Sequence, residues 1–322
     1  MVDNRQRTEE LIFENDAAAK SALAAEDALR VTYGLAAESR YITLPAYNIK
    51  IRVCEYGEGK PLLLIPGNTG DGFALLPLLP HLPGRRLLVV NRPGGGLSEG
   101  FNHHEAPFKE LALATLDAVY EHYGLATAPI VAHSMGGHWA LWYAMERPHR
   151  VEALVLPGVP GNIMGCKPPF ALRLTAVPGL NRLLFPLVAA KNPGNAMRAP
   201  RLMGHSRESV YALPPAYAEC QYYFQRLPRY RESALSLMEA TNTLCGSRKE
   251  VHIREEELKR VGQPVLLLWG QNDPFGTLRE GERIARALPA AMFSLVPGAG
   301  HLPWLDAPEQ CGKQITAFLA GR

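Results

Sequence analysis

Pro129-Ile130-Val131-Ala132-His133-Ser134-Met135-Gly136-Gly137 is the stretch on which the fold of this chain turns. Its first four residues are apolar and partly β-branched, the composition of a strand in the middle of a sheet. Residues 136–146 follow with helical periodicity, so the chain must pass from strand to helix across His133 and Ser134. A turn that sharp pushes the Ser134 oxygen out of the fold. The small residues on either side of it, Ala132, Gly136 and Gly137, keep neighbouring backbones from colliding. A serine hydroxyl is a poor nucleophile unless held out beside a base. The helix that starts here aims its free N–H groups and positive end at the same point, which favours a developing oxyanion. The same residues also suit a Gly-rich turn in which Ser134 merely caps the helix. The rest of the chain decides between the two.

Working outward, short apolar runs recur at 61–65, 86–90, 151–156, 264–269 and 292–296. Several are continuous rather than alternating, as strands buried on both faces of a parallel sheet are. Helical patterns, such as residues 109–123, separate most of them, which predicts a doubly wound α/β sheet. Residues 41–44 and 49–53 alternate with only a turn between them, and predict an antiparallel N-terminal edge. Residues 8–33 are rich in Ala, Leu and Glu at helical spacing and end at Gly34. Between about 158 and 260 no strand pair is convincing. This segment reads as a helical insertion over the carboxyl edge of the sheet, where open α/β sheets bind ligands.

Two of the strand runs end in loops that carry chemistry. Residues 264–269 lead into Gly270-Gln271-Asn272-Asp273-Pro274, and residues 292–296 into Pro297-Gly298-Ala299-Gly300-His301. Alone, Asp273 before Pro is a turn residue, and His301 after Gly is a solvated or structural histidine. Serine, acid and histidine in this order, each at a strand's end, are the parts of a nucleophile, an orienter and a base.

On these residues the chain resembles the α/β-hydrolase superfamily in its capped form. The resemblance implies residues 40–160 and 262–322 as the core, 161–261 as a helical cap and 1–39 as an N-terminal helical extension. It implies that Ser134 attacks a carbonyl, His301 takes its proton and Asp273 stabilises the imidazolium. Ile65-Pro66-Gly67-Asn68-Thr69-Gly70 resembles the family's oxyanion loop, so the backbone N–H groups of Asn68 and Met135 are the implied oxyanion donors. Thr69, His133 and Trp304 are candidate substrate contacts, with packing behind the elbow the plainer role for His133. Residues 91–98, Asn91-Arg92-Pro93-Gly94-Gly95-Gly96-Leu97-Ser98, resemble the family's structural Gly-rich turn.

Three departures stand out. Pro66 occupies the place of a usual histidine, which removes a buttressing hydrogen bond from the oxyanion loop. Ala132 replaces the first Gly of the elbow, and Asn91 replaces a common Asp. Asn68 resembles the halide-holding Asn of haloalkane dehalogenases, but those enzymes need a carboxylate nucleophile, and so does epoxide opening. The loop at 157–162 offers no competing acid, and Asp306 reads as the cap of a helix near Pro308.

The implied activity is hydrolysis of a carboxylic ester, lactone or thioester through an acyl-Ser134, with no metal and no organic cofactor. The alternatives are a carbon–carbon hydrolase of ring-cleavage products and a ligand receptor on the same scaffold. A cofactor-free oxygenase or perhydrolase is more remote. The expected partner is a small-molecule acyl substrate; the formal charge of +3 gives no field for nucleic acid. Between 162 and 247 ten Lys or Arg stand against four Glu, a solvated basic face or an attraction for anions. His103 and His104 have no further ligand at metal spacing. Five scattered cysteines, no secretory pattern at the start and no long apolar run point to a reduced, cytoplasmic protein with no stable membrane insertion. Oligomeric state is left open.

Overall fold

A computed structural model describes residues 16–322 of the chain. Eight strands form one sheet in the order β1-β2-β4-β3-β5-β6-β9-β10. They are β1 (Ala37–Leu44), β2 (Ile49–Tyr56), β3 (Lys60–Ile65), β4 (Arg85–Val90), β5 (Ala128–Ala132), β6 (Val151–Pro157), β9 (Val265–Gly270) and β10 (Ala291–Val296). Only β2 runs against the others, pairing antiparallel with β1 and β4. The predicted strands and the antiparallel edge are therefore present.

The sheet is apolar on both faces. Leu63, Ile65, Ile130 and Ala132 point to one core, Leu62, Leu64 and Val131 to the other, as period-two alternation requires. Helices α2 (Phe108–His122), α3 (Met135–Glu146) and α12 (Leu278–Ala287) cover the first face. Helix α3 is buried from Met135 through Met145, the mark of a helix wrapped on all sides. On the second face lie α13 (Pro303–Asp306) and α14 (Pro308–Phe318), with α1 (Ala17–Thr32). Ile65 pairs with Ala132, and Pro157 with Leu268. The carboxyl ends of β3, β5, β6 and β9 thus share one rim, and the loops that follow them converge there.

Residues 158–264 between β6 and β9 hold α4 (Phe170–Leu174), α5 (Leu180–Val188), α6 (Pro193–Ala196), α7 (Arg198–Leu202), α8 (Arg207–Ala212), α9 (Pro215–Tyr223), α10 (Tyr230–Thr241) and α11 (Glu255–Leu258). A hairpin of two residues a side, β7 (Asn242–Thr243) and β8 (Gly246–Ser247), also occurs. It is too short to leave a periodic signature in the sequence.

Of the expected helix at 8–33, residues 8–15 lie outside the described residues. The rest is α1, capped by Asp16, whose side chain accepts from the Ala19 N–H at 2.8 Å. Its small face, Ala19, Ala22 and Ala25, packs in one core with Tyr217 and Cys220 of α9. Glu26, 1% exposed, fastens it to the sheet by accepting from Arg52 of β2 at 2.6 Å, and also accepts from Arg30 within the helix at 2.7 Å. Burial raises the Glu26 pKa, and the two guanidinium groups outweigh it, leaving the carboxyl below its ordinary value. The stabilisation is therefore present above the ordinary glutamate range and lost as pH falls through the lowered folded value. Glu26→Ala leaves the buried Arg52 without its anion, while Arg30 keeps Asp27 at 2.7 Å, and is expected to cost about 3–5 kcal/mol, read from urea unfolding at neutral pH.

Candidate active site

Ser134 sits between β5 and α3 with φ +50° and ψ −114°, a strained conformation for a side-chain-bearing residue. Its surroundings hold it there. The Ser134 carbonyl accepts from Gly161 N–H at 2.8 Å and His138 N–H at 3.0 Å, and His133 N–H donates to Ile65 O at 2.9 Å. A Cβ on Gly136 would stand 2.5 Å from Ile65 O and 2.6 Å from Pro66 O, so only glycine lets the new helix pass the end of β3.

The three loops picked from the sequence meet at this point. His301 Nε2 lies 2.9 Å from Ser134 Oγ, and its Nδ1 lies 2.8 Å from Asp273 Oδ2. The same Asp273 oxygen accepts from Val159 N–H at 3.0 Å, and its other oxygen from Phe275 N–H at 2.9 Å. All three side chains are at most 7% exposed. The imidazole stacks on the Phe275 ring with centroids 4.1 Å apart, which restrains its tilt.

The other assigned residues divide. Thr69 and His133 line the same cavity as Ser134. His133 is buried behind the elbow, and its Nε2 faces His301 O at 3.0 Å; a carbonyl only accepts, so that nitrogen carries the proton. Burial first, then His301, hold the His133 pKa far below its ordinary value, so the ring is neutral. Trp304 does not line the cavity. It is fully buried, its indole N–H donates to Ala74 O at 2.9 Å, and its ring meets His133 edge-on at 5.0 Å. It is a packing residue beneath His133, and sequence adjacency to His301 was a misleading guide. The insertion presents Tyr217 and Gln221 to the cavity.

The loop after β3 lies against the elbow: a Cβ on Gly67 would be 3.3 Å from Ser134 Cβ. Gly67, Asn68 and Met135 line the cavity. The buttress absent at Pro66 has a replacement in Arg92, whose Nη2 donates to Gly67 O, and to Asn68 O at 2.8 Å. Arg92 is 1% exposed and lies over the Trp139 ring at 5.0 Å. Among the described residues no carboxylate forms an ion pair with it. Burial lowers its pKa to about 10, with Asp71 pulling the other way, so it is a cation at neutral pH. Asn91 fills the place of the usual Asp by accepting from Gly72 N–H at 2.9 Å.

Sequence reasoning missed how the insertion reaches the histidine. The His301 N–H donates to Met203 O at 2.8 Å, and the Leu302 N–H to His205 Nε2 at 3.2 Å. His205 Nδ1 lies 2.6 Å from Asp306 Oδ2, which also accepts from Gly300 N–H at 2.9 Å. Asp306 is therefore not a helix cap; Ala307 holds that position. Gly204, at φ +86°, wedges against Asn272 O of the acid's loop, and a Cβ there would collide with that carbonyl. Gly204→Ala is expected to cost about 1–3 kcal/mol, measured by urea unfolding.

Above the three loops lies a cavity of about 250 Å³, roofed by Leu172, Pro200, Met203 and Met238 of the insertion. Among the described residues Lys167 is the only Lys, Arg, Asp or Glu that lines it. Among the described residues no group of His, Cys, Asp or Glu is arranged to hold a metal, and no helix is long and apolar enough to cross a membrane.

A model of the alpha/beta hydrolase fold matches residues 60–308, which includes every residue of this arrangement. This chain belongs to the alpha/beta hydrolase fold family. The hydrolase is 26% identical over 305 residues to a 2-hydroxy-6-oxononadienedioate/2-hydroxy-6-oxononatrienedioate hydrolase of Paraburkholderia phymatum, covering 90% of this chain and 98% of that one. Its fold is similar to that of carboxylesterase CesB from Bacillus subtilis, with a TM-score of 0.75, 19% identity, and coverage of 95% and 99%. It is also similar to a 2-hydroxy-6-oxo-6-phenylhexa-2,4-dienoate hydrolase from a Rhodococcus species, with a TM-score of 0.71, 18% identity, and coverage of 89% and 100%.

Proposed function

We propose that this hydrolase cleaves a carboxylic ester, or a lactone or thioester, through an acyl-enzyme on Ser134. The observation that carries the reading is one imidazole within hydrogen-bond reach of both Ser134 Oγ and Asp273 Oδ2, at the floor of a largely apolar cavity. Ser134 Oγ attacks the carbonyl as its proton passes to His301 Nε2. Asp273, fixed by two backbone N–H groups, stabilises the imidazolium. The oxyanion is held by the N–H groups of Asn68 and Met135, donors worth about 2.7–4 kcal/mol each. His301 then protonates the leaving alcohol, and a water activated by the same nitrogen releases the acid. No step needs a metal or an organic cofactor. Residues 161–261 act as the cap that selects the acyl group, and the partner is a small, partly apolar molecule.

A second reading is hydrolysis of a carbon–carbon bond in a dienol-keto acid, favoured by the names of the Paraburkholderia and Rhodococcus proteins. Such a substrate brings carboxylate groups, and among the described residues Lys167 is the one lysine or arginine at the cavity to meet them. The ester reading is preferred because the remaining lining is neutral. Parallel assays decide: aryl esters of graded chain length against a dienol-keto acid. Turnover of the esters with little of the acid supports the first reading. Turnover of the acid alone, with a KM raised by Lys167→Met, supports the second.

A further inference from the structure

Among the described residues Arg92 is a buried cation that forms no ion pair with a carboxylate, Asp71 acting on its charge only from beyond contact, an arrangement folding ordinarily avoids. Its polar contacts are two consecutive carbonyls of one loop, Gly67 O and Asn68 O, both reached by Nη2. The peptide units of this chain are trans throughout the described residues. In a trans peptide the C=O and N–H point in opposite directions. A guanidinium that captures Gly67 O therefore turns the N–H of the same unit, that of Asn68, away from itself. Capture of Asn68 O does the same for the N–H of Thr69. Gly67, Asn68, Thr69 and Ser134 line one cavity, so the side away from Arg92 is the reacting side. The Trp139 face beneath the cation and the Gly-rich turn that carries it fix the guanidinium in place.

We infer that Arg92 is the positioning residue of the oxyanion hole. It orients the Gly67–Asn68 peptide, polarises it, and sets a fixed positive charge behind the developing oxyanion. It buttresses the loop from the Gly-rich turn, where Pro66 has no side-chain donor, and does so with a permanent charge. The inference rests on Ser134 acyl chemistry. Because an oxyanion exists only after attack, Arg92 acts on the transition state and little on substrate binding.

The experiment compares wild type, Arg92→Met, Arg92→Lys and Ser134→Ala on an aryl ester. It also measures the affinity of a trifluoromethyl ketone, which forms a tetrahedral oxyanion adduct on the nucleophile. Arg92→Met is expected to lower kcat about 100-fold with KM within about twofold, and to weaken the ketone by a similar factor. Arg92→Lys keeps the charge and one donor, and is expected to fall between. A purely structural role lowers the urea midpoint and the active fraction but leaves the ketone affinity of the folded fraction unchanged. If Arg92→Met does not fold, the ketone affinity of Arg92→Lys carries the test. Wild-type ketone affinity in either folded variant overturns the inference while Ser134→Ala remains dead. A wild type that neither turns over the ester nor binds the ketone overturns the parent reading and this one with it.

Discussion

Ser134→Ala is expected to lower kcat on the best ester about a millionfold, with the fold intact. The side chain makes one hydrogen bond, to His301 Nε2, so its removal leaves no buried group stranded beyond that nitrogen. The elbow is held by backbone hydrogen bonds that alanine retains: Gly161 N–H and His138 N–H to the Ser134 carbonyl. The loss is thus chemical rather than structural. What would survive is the contribution of the proposed oxyanion donors and the cavity, which hold a substrate but offer it no nucleophile. Stopped assays with purified variant and matched circular dichroism separate the two. A residual rate within tenfold of wild type contradicts the assignment.

Asp273→Asn carries the second large effect, a fall of about 10⁴ in kcat. Both oxygens of Asp273 accept, one from Phe275 N–H and the other from Val159 N–H and His301 Nδ1–H. An amide cannot reproduce this, because whichever way it turns, its NH2 faces a backbone donor. If the NH2 points to His301, the imidazole must present a bare Nδ1 and hold its proton on Nε2, against Ser134 Oγ, where it can no longer accept one. If it points to Phe275, the donor–donor contact costs about 1–3 kcal/mol of stability. The expected result is a low kcat with a lowered urea midpoint, from steady-state kinetics and unfolding on one preparation. A variant with wild-type kcat would mean that another group orients His301.

The sheet was legible because its strands are continuous apolar runs bounded by glycine and proline, and the elbow because only small residues fit around Ser134. That Asp273 and His301 meet was legible because each lies in a loop that follows a strand's carboxyl end. What sequence could not show were contacts between distant segments with no periodicity of their own. Arg92 stands in a Gly-rich turn, and nothing nearby marks it as the partner of a loop some twenty-five residues earlier. Met203 and His205 lie among short helices, and their grip on His301 and Leu302 exists only once the insertion is folded. Trp304 erred in the opposite direction, since nearness in sequence to His301 turned out to be packing beneath it rather than exposure to substrate.

The central claim is that Ser134 Oγ is the nucleophile. Incubation of the intact protein with a fluorophosphonate, followed by peptide mass mapping, tests it most directly. One phosphonyl group is expected, on the peptide bearing Ser134, and none in Ser134→Ala or after heat unfolding. A folded wild type that stays unlabelled, or carries the group on a different residue, contradicts it.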